Sequence, residues 1–231
     1  MERGKEEFIK TEGIILKSFP YQESDQILQL YTESLGRISV IVKGARSRKQ
    51  QKTGLINPLT QLEVIVKIGR GDLYYCKDLS LINLFPRLRS KLSHLEASCK
   101  MAQSLYTIHM PGRPDPPVYH LLFRYLSAME TASSPLALTA SFCLKLLKHE
   151  GSLHLQDTCL KCGEPLRDCI LFQGAFYCLL HSPAQNQFAF SDYERTALQR
   201  LVDDRSLSSL QQIPIDLIFY QKILQIIHYW D

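Results

Sequence analysis

The sequence predicts an α+β protein in two parts, a small five-stranded barrel followed by a helical domain, and three observations predict it. From Phe8 to Leu84 apolar residues alternate with polar ones in five short runs. At Phe85-Pro86 the period changes from two to seven residues. Further on, a C-x2-C pair and a C-x2-H pair interrupt the helical pattern. With 231 residues there is room for two modest domains, and the change of period sets the expected boundary at 1–85 and 86–231.

The elements follow in order. Phe8 to Ser18 reads as a strand with Gly13 as a bulge or bend, and Phe19-Pro20-Tyr21-Gln22-Glu23-Ser24 reads as a loop. Asp25 to Thr32 is a second strand. Leu35-Gly36 then turns into a third, in which Ile38, Val40 and Val42 alternate with Ser39, Ile41 and Lys43. This strand ends in a basic tail, with six Lys or Arg between Arg37 and Lys52 and no Asp or Glu. Thr60 to Ile68 alternates again, and Gly69-Arg70-Gly71-Asp72 signals a hairpin into Leu73 to Leu84.

Three meander strands, a break and two more suit a small closed barrel better than a sandwich, and the five-stranded OB-fold is the leading candidate. Such barrels bind oligonucleotides on strand faces and loops. Here those elements hold Lys17, Arg37, Lys43, Arg46, Arg48, Lys49, Lys52 and Arg70, interleaved with Tyr21, Tyr74 and Tyr75. Cations for phosphates and flat apolar rings for unstacked bases are what single strands require. Barrel packing is the competing role for each tyrosine.

Beyond Pro86, Leu88, Leu92, Leu95, Cys99, Ala102 and Tyr106 form one stripe of a helix and read as core. Asp115-Pro116-Pro117 opens a second helix with inner residues Leu121, Leu122, Tyr125, Leu126 and Met129. Leu136 to Glu150 is a third. Ser191-Asp192-Tyr193-Glu194 is a capping box opening a helix through Leu201, and Pro214 to Trp230 is the last.

Between the helices, Cys159-Leu160-Lys161-Cys162-Gly163 and Cys178-Leu179-Leu180-His181 give C-x2-C-x15-C-x2-H. Both pairs have knuckle spacing, Gly163 can take the positive φ of a tight turn, and Gln173-Gly174 is a hairpin turn that brings the knuckles together. The expectation is one structural zinc per chain on Cys159, Cys162, Cys178 and His181, in a module at about residues 157–183, with Cys169 as the alternative ligand. Four protein ligands leave no position for an activated water. His94-Leu95-Glu96 followed by C-x-x-C superficially matches a zinc deaminase signature, but Thr158 rather than Pro precedes Cys159. No phosphate-binding glycine loop, nucleophile elbow or dinucleotide fingerprint is present, so no enzyme is expected.

Apolar content of 45% with 22% charged residues excludes wholesale disorder and a membrane protein. The net charge of +4 is too small by itself to imply a polyanionic partner, so local clustering carries that argument. The N-terminus has no apolar signal region and the seven Cys form no secreted framework, so a reducing cytoplasm and no membrane are expected.

Taken together, Thr11-Glu12-Gly13-Ile14-Ile15-Leu16-Lys17, Tyr21-Gln22-Glu23-Ser24-Asp25, Gly36-Arg37, Lys43-Gly44-Ala45-Arg46 and Leu55-Ile56-Asn57-Pro58-Leu59 resemble the bacterial recombination mediator family RecO. The resemblance is specific over roughly the first 80 residues and rests further on upon the order of parts. It implies an OB-fold, a helical domain interrupted by a zinc module, and a non-enzymatic DNA repair and recombination factor. It further implies binding of single- and double-stranded DNA and annealing of strands coated by single-stranded DNA-binding protein. With RecR as partner, such a factor helps load RecA, in the nucleoid of a bacterial cytoplasm. Docking of RecR or of the acidic, apolar C-terminal tail of single-stranded DNA-binding protein falls to the helical domain. His181 stands where Cys is frequent in the family. A zinc-dependent nucleic-acid-modifying enzyme and an RNA-binding OB protein are the rival readings. Turnover under chelation separates the first, and competition between RNA and single-stranded DNA the second.

Overall fold

The computed structural model describes residues 7–47, 54–69, 73–182 and 188–228, and the chain separates into two compact units, Met1–Glu130 and Thr131–Asp231. In the first, strands β1 (Phe8–Tyr21), β2 (Asp25–Thr32), β3 (Gly36–Val42), β4 (Gln61–Ile68) and β5 (Leu73–Asn83) close into a barrel in the order β1-β2-β3-β5-β4. This is the expected five-stranded barrel of the OB type. Every second residue points inward, so Ile15, Leu28, Leu30, Ile38, Val40, Val42, Leu62, Val64 and Val66 form one buried core.

β1 closes the barrel by serving two neighbours. Its first half pairs with β4 from Phe8 to Ile14, and its second half pairs with β2 from Gly13 to Tyr21. Gly13 belongs to both pairings, and a Cβ there would come within 2.9 Å of Thr32 Cγ2. The bend expected at Gly13 is therefore a site of close approach, while the bulge sits later, between Ile15 and Lys17. β1 also runs past the expected end at Ser18. Phe19, Pro20 and Tyr21 pair with Ile27, Gln26 and Asp25, which shortens the expected loop to Gln22–Ser24. Pro20 is tolerated because β4 pairs with β1 only as far as Ile14, which leaves this end at an edge. β3 and β5 are joined in parallel over Ser39–Ile41 and Leu73–Tyr75.

Helices α1 (Leu92–Ile108) and α2 (Pro116–Met129) belong to the same unit. The seam at 130/131 thus falls downstream of the change of period at 85/86, because both helices pack on the barrel. Tyr119 of α2 shows how: its hydroxyl lies 3.1 Å from Gln61 Nε2 of β4, which donates to it, and 3.5 Å from Glu12 Oε2 of β1. The expected helix from Leu88 is broken at Lys91, which is extended at φ −128°, and only a single 3-10 turn, Leu88–Ser90, precedes the break. Arg89 holds that turn by donating to the carbonyls of Leu84 and Pro58. After it the buried face of α1 is His94, Ala97, Ser98, Met101, Ala102, Ser104 and Leu105. Leu92 is 71% exposed, and Cys99 is exposed as well. Of the expected stripe Leu88 and Ala102 are buried, and the buried face is otherwise turned toward Ala97, Ser98, Met101 and Leu105. α2 opens as expected, with Asp115 accepting from the Val118 N–H.

In the second unit α3 (Pro135–His149) is buried on almost every side, from Ala137 through Leu147. Around it lie α4 (Asp192–Asp203), the short α5 (Leu207–Leu210), unforeseen from the sequence, and α6 (Leu217–His228). Ser191 and Glu194 form the reciprocal capping box at α4. α6 begins after Pro214 and Ile215, where Asp216 accepts from the Phe219 N–H, and Trp230 lies outside the described residues. A three-stranded sheet of β6 (Cys169–Phe172), β7 (Ala175–Cys178) and β8 (Phe188–Phe190) has the order β7-β6-β8. The β6–β7 turn is Gln173-Gly174, both at positive φ (46° and 79°). Among the described residues no helix is long and apolar enough to cross a membrane.

Candidate functional site

Two groups of chemically capable side chains stand out, one on the outer face of the barrel and one in the second unit. On the barrel, Lys17, Gln29, Ser39 and Leu73 are opposed in register across β1, β2, β3 and β5, so their side chains share the outer face. Gln29 Nε2 donates to Ser39 Oγ at 2.9 Å. Arg37, two residues before Ser39, lies on the same face. The end of α1 and the loop after it cover the next row: Tyr31 is fully buried, 5.3 Å edge-on from the His109 ring, and the Gly112 N–H donates to the Arg37 carbonyl at 2.9 Å. What stays open is a cavity of about 520 Å³ lined chiefly by Gln29, Arg37, Ser39, Tyr74, Tyr106 and Pro111.

Two cations meet at its edge. Lys17 Nζ stands 3.6 Å from the Tyr106 ring centroid and the Arg37 guanidinium carbon 4.3 Å from it. Each such contact contributes ~0.5–2 kcal/mol, fixes a flexible cation and leaves its charge unneutralised. Among the described residues neither Lys17 nor Arg37 makes an ion pair.

The remaining barrel cations are placed differently. Lys43 is about 20 Å along the chain from Arg37 and faces Tyr75 at 5.6 Å, beside Lys67, Lys77 and Phe8 around a second hollow of about 260 Å³. Arg46 turns back onto the barrel, donating to the carbonyls of Gln22 and Glu23 at 2.7 and 2.9 Å. Arg48, Lys49, Lys52 and Arg70 lie outside the described residues. The sequence reading missed Tyr106, taken there as core; only its place at the end of the stripe, where helix and barrel part, could have marked it. It also missed Lys67, which meets Tyr75 through the β4–β5 register, and Lys77, two residues along β5 from Tyr75.

In the second unit the donor atoms of Cys159, Cys162, Cys178 and His181 all lie within 4.8 Å of one another. Cys162 Sγ is 4.0 Å from Cys178 Sγ, and His181 Nδ1 is 3.2 Å from Cys178 Sγ and 4.0 Å from Cys159 Sγ. Tetrahedral ligands at ~2.0–2.3 Å from one ion stand ~3.4–3.8 Å apart, so these residues fit a single tetrahedral metal. The first knuckle is built by its backbone: the Gly163 N–H donates to the Cys159 carbonyl, with Gly163 at φ 75°, and the Cys159 N–H donates to the Glu164 carbonyl. Burial works to raise the Cys159 thiol, but backbone N–H groups of Cys178, Cys162 and Lys161 outweigh it and hold the thiol down to about 6. That favours a thiolate, the form that binds metal. Cys169, the alternative ligand, lies outside the cluster. It is fully buried opposite Cys178 and Phe190, and burial pushes its thiol up to about 12.

The strand order and the basic, aromatic outer face define an OB-fold protein, joined to a helical unit that carries a Cys3His cluster. The models for the N-terminal and C-terminal parts of recombination protein O match residues 6–85 and 103–230, and the chain belongs to the RecO family. The DNA repair protein RecO of Anaeromyxobacter dehalogenans (strain 2CP-C) is 28% identical over 159 residues, 68% of this chain and 63% of that protein. That of Rubrobacter xylanophilus is 32% identical over 67% of this chain and 62% of the relative. Over a longer stretch, the DNA repair protein RecO of Chlamydia trachomatis serovar L2 is 24% identical, covering 89% and 86%. The match thus spans less than two thirds of the length of the first two relatives.

Proposed function

We propose that this chain is a non-enzymatic DNA repair and recombination mediator. It binds single- and double-stranded DNA, anneals complementary strands and, with RecR, helps load RecA onto strands coated by single-stranded DNA-binding protein. The observation that carries this reading is the convergence of Lys17 and Arg37 on Tyr106 beside an open cavity on an OB barrel. Fixed, unpaired cations next to aromatic faces suit a flexible polyanion with exposed bases. Membership of the family, whose relatives are named DNA repair proteins, supports the same reading. Lys43, with Lys67 and Lys77 around Tyr75, extends the basic surface along the barrel, and Arg48, Lys49, Lys52 and Arg70 are further phosphate contacts proposed from the sequence alone. Arg46 contributes charge while tying down a turn.

Annealing needs no bond-making residue, only charge that holds two polyanions together. Cys159, Cys162, Cys178 and His181 would hold one zinc per chain, which would link the two knuckles and stabilise their unit, since a structural zinc site contributes folding free energy. The reading is tested by annealing of complementary strands precoated with single-stranded DNA-binding protein. Acceleration by the wild-type chain, lost when Lys17 and Arg37 are both changed to Ala, is the expected result.

A further inference from the structure

The cavity on the outer face of the barrel has the features of a receptor for one flat ring with a polar edge. We infer that it takes a single unstacked nucleobase from a bound DNA strand. The inference rests on the nucleic-acid reading above and adds a place and a mode of contact.

Tyr74, packed against the barrel core on its other side, gives an aromatic wall, Tyr106 with Lys17 and Arg37 over its ring forms the rim, and Ile68 and Pro111 extend the apolar lining. A base offers two apolar faces to such walls and keeps its hydrogen-bonding groups on its edge. The cavity provides for that edge as well. With Gln29 Nε2 donating to Ser39 Oγ, the Gln29 carbonyl oxygen remains an acceptor and the Ser39 hydroxyl remains a donor. Arg37 Nε is buried and has no hydrogen-bond partner among the described residues. A buried N–H left without an acceptor is costly, so a ligand carbonyl or ring nitrogen that reaches it is favoured. Because donors and an acceptor are both present, any of the four bases can be met, and sequence preference is weak.

The covered row beside the cavity explains why one base enters and a strand does not run straight across. His109 lies over Tyr31, and a Cβ at Gly36 would overlap the Arg113 carbonyl, so loop and barrel are in contact there. A strand reaching this point places a base in the cavity and leaves along the mouth, where Lys17 faces its phosphates. In a duplex the bases are stacked and paired, so duplex DNA does not fill the cavity. Pairing of the held strand with its complement empties it.

The test uses the full chain and single-stranded oligonucleotides carrying 5-iododeoxyuridine. Irradiation and peptide mapping should place crosslinks on Tyr74 or Tyr106; crosslinks confined to other residues overturn the inference while leaving DNA binding intact. In parallel, Tyr74→Ala should weaken single-strand binding about tenfold with duplex affinity and the salt slope unchanged, whereas Tyr106→Ala, which also frees Lys17 and Arg37, should weaken both single-strand and duplex binding. Tyr106→Phe should bind as wild type. Alanine variants that fold and bind single strands with unchanged affinity overturn the inference. A wild-type chain that binds no single strand removes the functional reading and the cavity's role with it. Free thymidine monophosphate should not displace the oligonucleotide; displacement at micromolar concentration identifies a mononucleotide site and overturns the strand-borne base.

Discussion

Arg46 is exposed, yet its guanidinium joins the turn before β2 to the loop after β3 by donating to Gln22 and Glu23. The same junction is fastened by the Arg46 N–H on the Ser24 carbonyl and the Gly44 N–H on Asp25 Oδ1. Arg46→Ala should therefore lower stability by ~1 kcal/mol as well as DNA affinity. Lys43→Ala should lower affinity alone. Urea denaturation beside binding titrations checks the contrast. Gly174 is a second residue whose part is structural: it lies at φ 79°, and a Cβ would overlap the Ser152 carbonyl. Gly174→Ala should cost ~2–3 kcal/mol, read as a lower thermal midpoint for the second unit.

At the scale of elements, α2 is held to the barrel partly through Tyr119, whose hydroxyl is pushed up to about 12 by burial, with Glu12 and Glu33 adding to the rise against the Gln61 hydrogen bond. The folded value exceeds the unfolded one, near 10.0, so between these pH values unfolding releases a proton. The stability contributed by Tyr119 is complete below pH 10.0 and is lost as pH rises toward about 12. Denaturation midpoints measured across this window should fall more steeply for the wild type than for Tyr119→Phe. Much of this architecture was legible in the sequence, because the five strands carry clean alternation and the two caps at Asp115 and Ser191 use local chemistry. What escaped depended on tertiary partners. Phe19-Pro20-Tyr21 look like a loop until β2 pairs with them. The α1 stripe is offset because the 3-10 turn at Leu88–Ser90 and the extended Lys91 reset the helix phase before Leu92. The metal cluster was readable from spacing, whereas the cation–aromatic group was not, since Lys17, Arg37 and Tyr106 come from three separate elements.

At the scale of the whole molecule, the two units should respond to different perturbations. Chelation, or Cys159→Ser, should destabilise residues 131–231 while the barrel keeps its cooperative transition, and elemental analysis of protein purified without chelators should return one zinc per chain. Limited proteolysis with and without chelator separates the units. High salt should act on DNA binding instead. Changing Lys17, Arg37 and Lys43 together to Ala should flatten the slope of log affinity against log salt by up to ~2 for single strands.

The barrel order β1-β2-β3-β5-β4 also bears on synthesis. β1, β2 and β3 pair with sequence neighbours, but β4 returns to β1, and β5 must then slot between β3 and β4. A nascent chain that has emerged only through Ile68 therefore presents unpaired edges on β3 and β4, each rich in Val and Ile. The arrival of Leu73–Asn83 zips both edges shut in one event. Ribosome-stalled chains should gain protease resistance in the barrel abruptly once β5 clears the exit tunnel, and chains released before that point should aggregate.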